Sequence, residues 1–136
     1  MEVLPSIGIN IINFGATEKE AINLLGSPDK VYTTDSDCKR LQFNKQQIEL
    51  SFEPDNNNLL GWIEVHNSNA TLFGKNLIGK EQNEVLKFVT DKLNEKPKIK
   101  DYDSDWVELQ FEFGTLKSIN LGVKYNDNDT PQWPNT

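Results

Sequence analysis

Asp101-Tyr102-Asp103-Ser104-Asp105, followed by Glu112, comes closer to a metal-binding signature than any other stretch of this chain. In the calcium loop of helix–loop–helix proteins, side-chain oxygens at alternate positions surround the ion and a glutamate at the twelfth position closes the shell. The sixth position must turn sharply, which requires glycine. Here the twelfth position is right, but the sixth is Trp106, and the residues after it alternate as a strand does, which cannot wrap an ion. The stretch reads as an acidic turn leading into a strand. Asp127-Asn128-Asp129 also offers oxygens and reads first as a turn. Cys38 and His66 are the chain's one cysteine and one histidine. A thiol–imidazole nucleophile needs a third, orienting group, and a zinc site needs more nitrogen and sulfur ligands than these two supply. A buried inert cysteine and a surface histidine are the expectation. Glu49 and Glu108 could share acid–base work, but nothing in the sequence singles out either for a raised pKa, and there is no glycine-rich phosphate cradle. No catalytic, metal or cofactor residue is assigned, and the chain reads as a non-enzyme.

The elements that position these residues are legible in outline. Thr17-Glu18-Lys19-Glu20 is a capping box, in which hydroxyl and carboxylate satisfy each other's backbone amides. Ala21, Ile22, Leu24 and Leu25 give the following helix one apolar face, and Gly26 and Pro28 end it. A second helix carries Val85, Leu86, Phe88, Val89 and Leu93 and stops before Pro97. Strand-like runs are expected at 30–34, 39–43, 47–53 and 61–67, then at 98–102, 106–113 and 117–125. Turns rich in Asp, Asn and Gly suit antiparallel hairpins.

The pattern occurs twice. Phe14, Gly15, Glu20 and Ile22 are matched by Ile78, Gly79, Glu84 and Leu86. Ile48–Glu53 is matched by Val107–Glu112, and Leu60, Ile63 and Val65 by Leu116, Ile119 and Leu121. The reading is an α+β fold in one domain, made of two tandem helix-then-hairpin units, about 7–67 and 71–125, with a tail over 126–136. The two units form one antiparallel sheet with the helices packed on one face.

Strand alternation sorts the two faces. Ile48, Leu50, Phe52, Ile63, Val65, Val107, Leu109, Phe111, Phe113, Ile119, Leu121 and Val123 are expected to face the helices. The open face then holds Glu49, Ser51, Glu53, Trp62, Glu64, His66, Trp106, Glu108, Gln110, Glu112, Asn120 and Lys124, with Arg40 and Gln42. A carboxylate ladder alone is common on a solvated sheet face. Two tryptophans among carboxylates point instead to a protein-binding surface, with Trp62 and Trp106 as anchors and the acids steering a basic partner. The candidate partner-binding set is Glu49, Glu53, Trp62, Glu64, His66, Trp106, Glu108, Gln110, Glu112 and Lys124. In the tail, Trp133 is expected to fold back and plug the sheet edge, with a docking arm as the alternative.

Charge narrows the partner class. With Lys+Arg 14 against Asp+Glu 21 the net charge is −7, which disfavours direct binding to nucleic acid or to an anionic membrane. One cysteine excludes an intrachain disulfide and suits a reducing compartment. The opening MEVLPSIGIN has no basic segment followed by a long apolar run, so no secretory leader is expected and a cytoplasmic location is. Nothing in the sequence sets an oligomeric state.

The segment carrying Phe14, Gly15, Thr17, Leu24, Gly26 and Pro28, followed by a short antiparallel sheet, resembles the beta-lactamase-inhibitor-protein-like fold. Within that group the doubled unit is similar to the inhibitor itself, which grips its target with a concave sheet. The lipoproteins of the outer-membrane assembly machinery share the unit. This chain lacks the inhibitor's disulfides, and Cys38 is misplaced for lipid attachment. The resemblance implies protein binding rather than chemistry. The function expected is a bacterial immunity protein that neutralises a basic, nuclease-like toxin delivered by neighbouring cells. A non-inhibitory assembly adaptor is the alternative, and a small-molecule role the third.

Overall fold

A computed structural model of the chain describes residues 1–93, 98–99 and 107–134, with 98–99 as backbone only. Among them are ten strands, two α-helices and one short 3-10 turn, in two sheets. The fold is α+β and mostly antiparallel. The large sheet contains β3 (Lys30–Thr33), β4 (Lys39–Phe43), β5 (Ile48–Glu53), β6 (Leu59–Val65), β8 (Lys98–Ile99), β9 (Val107–Glu112) and β10 (Thr115–Gly122), in the order β3-β4-β5-β6-β10-β9-β8. The small sheet joins β1 (Glu2–Leu4), β2 (Gly8–Ile9) and β7 (Thr71–Leu72). Two pairings depart from the expected hairpins: β1–β7 and β8–β9 are parallel.

Helix α1 (Glu18–Leu25) starts as its residues dictate. The Thr17 hydroxyl accepts from the Glu20 amide at 3.1 Å, and the Glu20 carboxylate accepts from the Thr17 amide at 3.1 Å. Gly26, at φ +90, ends it. Helix α2 (Gln82–Leu93) buries Val85 and Val89. These side chains, with Ala21 of α1, pack into one core with Leu50, Ile63, Leu109, Ile119 and Leu121 of the sheet. Burial of each such aliphatic side chain contributes about 1.5–3 kcal/mol. The same core takes in Val3, Ile9 and Leu72 of the small sheet.

Two expectations about the apolar face are corrected. Leu24 is 58% exposed, because an eight-residue helix at the sheet margin presses only a narrow stripe inward. Phe113 is 97% exposed: the strand stops at Glu112, and alternation cannot be carried through the turn that follows. The tail turns back through Asn126–Thr130 and lays Trp133 against Gly15, so the expected fold-back is present, with the Gly15 turn as its contact.

Two places in the chain are closed by the same bonds. The Gly15 amide donates to the Leu60 carbonyl, whose own amide donates to Ala16. Likewise the Gly79 amide donates to the Leu116 carbonyl, and the Leu116 amide to Lys80. Both glycines are left-handed, at φ +92 and +94, a conformation that L side chains resist.

Candidate functional site

The sheet face opposite the core is organised in rows. Because β-strand side chains alternate, residues in register share a face. One row runs across six strands: Lys30, Gln42, Glu49, Glu64, Asn120 and Glu108. Beside it lies a second: Tyr32, Arg40, Ser51, Trp62 and Gly122. The rows place Glu49 and Glu64 directly opposite each other, an arrangement of like charges that destabilises a sheet unless it is compensated.

The compensation is Arg40, the chain's one arginine. Its Nη1 donates to Glu49 Oε2 and to Glu64 Oε2, each at 2.7 Å. Glu49 also accepts from Tyr32 Oη at 2.9 Å and from Gln42 Nε2 at 2.6 Å. Glu64 accepts from Trp62 Nε1 at 3.2 Å, while His66 Nε2 stands 3.6 Å from its other oxygen, an ion-pair distance rather than a hydrogen bond. Burial pushes the Glu64 carboxyl up, but His66, Arg40 and Trp62 together overcome it and hold the group at about 2. Of these donors, Arg40 has the shortest contact and a permanent charge. Burial draws Arg40 down, and its two carboxylate partners outweigh that and raise it. Burial, then the hydrogen bond to Glu49, raises the Tyr32 phenol.

Buried unpartnered atoms, among the described residues, are Arg40 Nε and Asn120 Oδ1. Asn120 donates from Nδ2 to Glu108 Oε1 at 2.9 Å, and Ser118 donates to Gln110 Oε1 at 3.1 Å. At one end of the face, Gln42, Phe43, Gln47, Glu49 and His66 line an open hollow of about 370 Å³.

Several residues of the expected open face are placed differently from a solvated ladder. Glu49 is 7% exposed and Ser51 and Asn120 are 2% exposed, and their register neighbours include Arg40, Trp62, Glu64 and Glu108. Trp62, Glu64, Glu108 and Gln110 are half-buried. His66 is exposed, and Glu112 is exposed and ion-paired with Lys117 at 2.6 Å. Lys124 is exposed beyond the end of β10, with its carbonyl accepting from the Gln132 amide. Glu53 lies over Gly61, where a Cβ would meet its Oε1 at 2.8 Å, and accepts from Asn56 Nδ2 at 3.3 Å. Burial, then Asp55, raises its carboxyl against the opposing pull of Arg40.

Trp106 and the Asp101–Asp105 run lie outside the described residues. Cys38 is half-buried rather than buried, because it sits in the open β3–β4 turn. Among the described residues no group of His, Cys, Asp and Glu side chains could hold a metal, and no helix is long and apolar enough to cross a membrane.

The sheet face therefore brings Glu49, Trp62, Glu64 and His66 together around a residue outside the expected set, Arg40. The signal was present: Arg40 is the chain's one arginine among thirteen lysines, and arginine is the residue suited to bridging two carboxylates. Comparison of the chain with known protein families, with characterised proteins and with solved structures finds no match in any of the three.

Proposed function

We propose that the chain is a protein-binding inhibitor, an immunity protein that neutralises a basic, nuclease-like bacterial toxin in the cytoplasm by covering its active or substrate site. The observation that carries this reading is the pre-ordered polar face centred on Arg40, Glu49 and Glu64, flanked by the aromatic side chains of Tyr32 and Trp62. Side chains already fixed by one another lose little entropy on binding, so such a face suits recognition of a protein surface. The network sums to one net negative charge, and Glu53, which feels Arg40, and Glu108, in the same row as Glu64, add further acid to the face. The two-unit, inhibitor-like architecture belongs to the same proposal. Its support is the paired closure of Gly15 on Leu60 and Gly79 on Leu116, with β6 and β10 side by side at the centre of the sheet.

One observation favours the second reading, an assembly adaptor. Glu49 and Glu64 are already taken up by Arg40, which weakens the pull on a cationic target. The two readings part in a pull-down with the tagged chain from its native cell at low and high salt, with the retained protein identified and assayed. A basic domain whose nuclease activity stops on binding supports the inhibitor. A housekeeping assembly protein without such activity overturns it in favour of the adaptor.

A further inference from the structure

The tip of the β9–β10 hairpin presents a bulky side chain where the backbone least accommodates one. Phe113 is at φ +52 and Gly114 at φ +82, two consecutive left-handed residues between the paired Glu112 and Thr115. Two-residue hairpins of this shape favour Asn, Asp or Gly at the first position, since a Cβ there crowds the following carbonyl. Phenylalanine at this position strains the fold, and its 97% exposure means that it makes almost no contact in return. The strain cannot relax by local movement. The Gly114 carbonyl accepts from the Gln82 amide at 2.9 Å, at the start of α2, and the Leu116 amide donates to the Lys80 carbonyl.

The chain carries a second phenylalanine in the same conformation, Phe73 at φ +52 before Gly74 at φ +80. That side chain is 39% exposed and so keeps more of its surface within the fold. Of the two phenylalanines, Phe113 pairs the unfavourable torsion with near-complete exposure. Such an outlier, held by a rigid frame, is the kind that marks a functional position.

From this we infer that Phe113 is a binding anchor: it inserts into an apolar, aromatic-sized pocket on a protein partner, and the polar residues beside it close around the rim. The neighbours Glu112, Gly114, Thr115 and Lys117 are exposed, and Glu112 and Lys117 form an ion pair at 2.6 Å. A lone apolar side chain ringed by polar ones is the pattern of an interface hot spot with its water-excluding surround. A bilayer is a poorer occupant. Even a whole acyl chain gives only marginal membrane binding, and Glu112 repels anionic headgroups. The inference is independent of the sheet-face reading, because the hairpin tip lies where α2 begins and its substitution leaves Arg40, Glu49 and Glu64 in place.

The experiment places 4-benzoylphenylalanine at position 113 of the full chain in its native cell and maps the photo-adduct. Phe113→Asn and Phe113→Gly are then compared with the unaltered chain in melting temperature and in affinity for the purified adduct protein. The expected result is one protein adduct at an apolar pocket, a melting temperature higher by about 3 °C or more, and affinity lower by about 30-fold or more. Phe73→Asn, which removes packed surface, is expected to melt lower. Absence of a protein adduct, unchanged affinity, or melting at or below that of the unaltered chain overturns the inference. So does Phe113-dependent sedimentation with phosphatidylcholine–phosphatidylglycerol vesicles, or a dimer of the chain that Phe113→Asn dissolves. A complex that weakens on Trp62→Ala but not on Phe113→Asn refutes the anchor and leaves the sheet-face reading standing.

Discussion

Glu49 and Glu64 face each other across β5 and β6, and a single nitrogen of Arg40 stands 2.7 Å from an oxygen of each. The sheet tolerates two opposed carboxylates because the guanidinium between them turns repulsion into a bridged triad. Tyr32, Gln42 and Trp62 supply the remaining donors. The side chains of Arg40 and Glu64 are each 21% exposed and that of Glu49 is 9% exposed. The triad is thus sheltered enough for loss of one member to leave a poorly hydrated charge.

Arg40→Ala is therefore expected to destabilise the protein by about 3 kcal/mol at neutral pH, the lower end for breaking a buried ion pair because the site keeps some water. Arg40→Lys keeps the charge without the planar fork and should fall between the two. Urea unfolding at pH 7 measures both. A loss under about 0.5 kcal/mol, the size of an exposed pair, would reduce the triad to surface decoration.

The same energy has a pH signature. The Glu64 carboxyl is lowered from 4.5 to about 2 in the fold. A lowered carboxyl stabilises the fold fully above its unfolded value and loses that contribution as pH falls through its folded value. The unfolding free energy from urea titrations should drop between about pH 4.5 and 2, by at most about 3 kcal/mol from this group, and the urea midpoint should fall with it. Glu53 runs the other way: its carboxyl is raised, so the fold is relieved as the group takes up a proton. Arg40→Ala should flatten the acid slope as well as lower stability. A midpoint constant from pH 5 to 2.5 in the unaltered chain would contradict the assignment.

How far the sequence led depended on the range of the interaction. The Thr17–Glu20 box and the bounds of β4 are local signals, and both are where the residues place them. The row of core residues along β5 follows from alternation within one strand. The small sheet of β1, β2 and β7 is not legible in the sequence because its strands are two or three residues long and β1 pairs with β7 across the chain. Arg40 was placed on the right face, but its role depends on the register of three strands at once, which composition does not state. Phe113 departs from the alternation of β9 because the strand ends at Glu112 and the backbone there turns left-handed.

Thr17→Ala removes the hydroxyl that accepts from the Glu20 amide and donates to the Glu20 carboxylate, and leaves only the backbone amide of residue 17 to hold that carboxylate. Helix α1 has eight residues and little buried surface beyond Ala21, so it depends on its cap more than a long helix would. The expected loss is about 1 kcal/mol, with Thr17→Ser close to neutral. Hydrogen exchange of the α1 amides should quicken before global unfolding; unchanged exchange would mean that packing alone holds the helix.

Trp133 lies over Gly15, where a Cβ would meet its ring at 3.3 Å, and it packs against the core. Trp133→Ala should cost about 2–3 kcal/mol, below the range for a fully buried tryptophan since this one is only partly covered. Gly15→Ala attacks the same contact and also strains a left-handed residue at φ +92. The two changes should therefore be non-additive in a double-mutant cycle. Additive losses would show that the tail and the Gly15 turn are energetically separate. A tail that docks on a partner would instead leave stability unmoved and weaken the complex.

Trp62 tests the proposed binding face itself. Its indole donates to Glu64 at 3.2 Å, and its register neighbours Ser51 and Gly122 are small, so the ring has room to lie flat on the sheet. Trp62→Phe keeps most of the aromatic area and loses the donor, whereas Trp62→Ala loses both. If the face binds the partner retained in the pull-down, Trp62→Ala should weaken the complex by about 2 kcal/mol or more and Trp62→Phe by distinctly less. Titration calorimetry on each variant measures this, with unfolding curves run alongside to separate lost binding from lost fold. Salt adds a second axis. Arg40 already compensates Glu49 and Glu64, so the salt-sensitive part of association should reside in Glu53 and Glu108. Glu108→Gln should slow association at low salt and make little difference at high salt. Equal affinity for the Trp62 variants and the unaltered chain would move the binding surface off the sheet, leaving the Phe113 hairpin as the place to look.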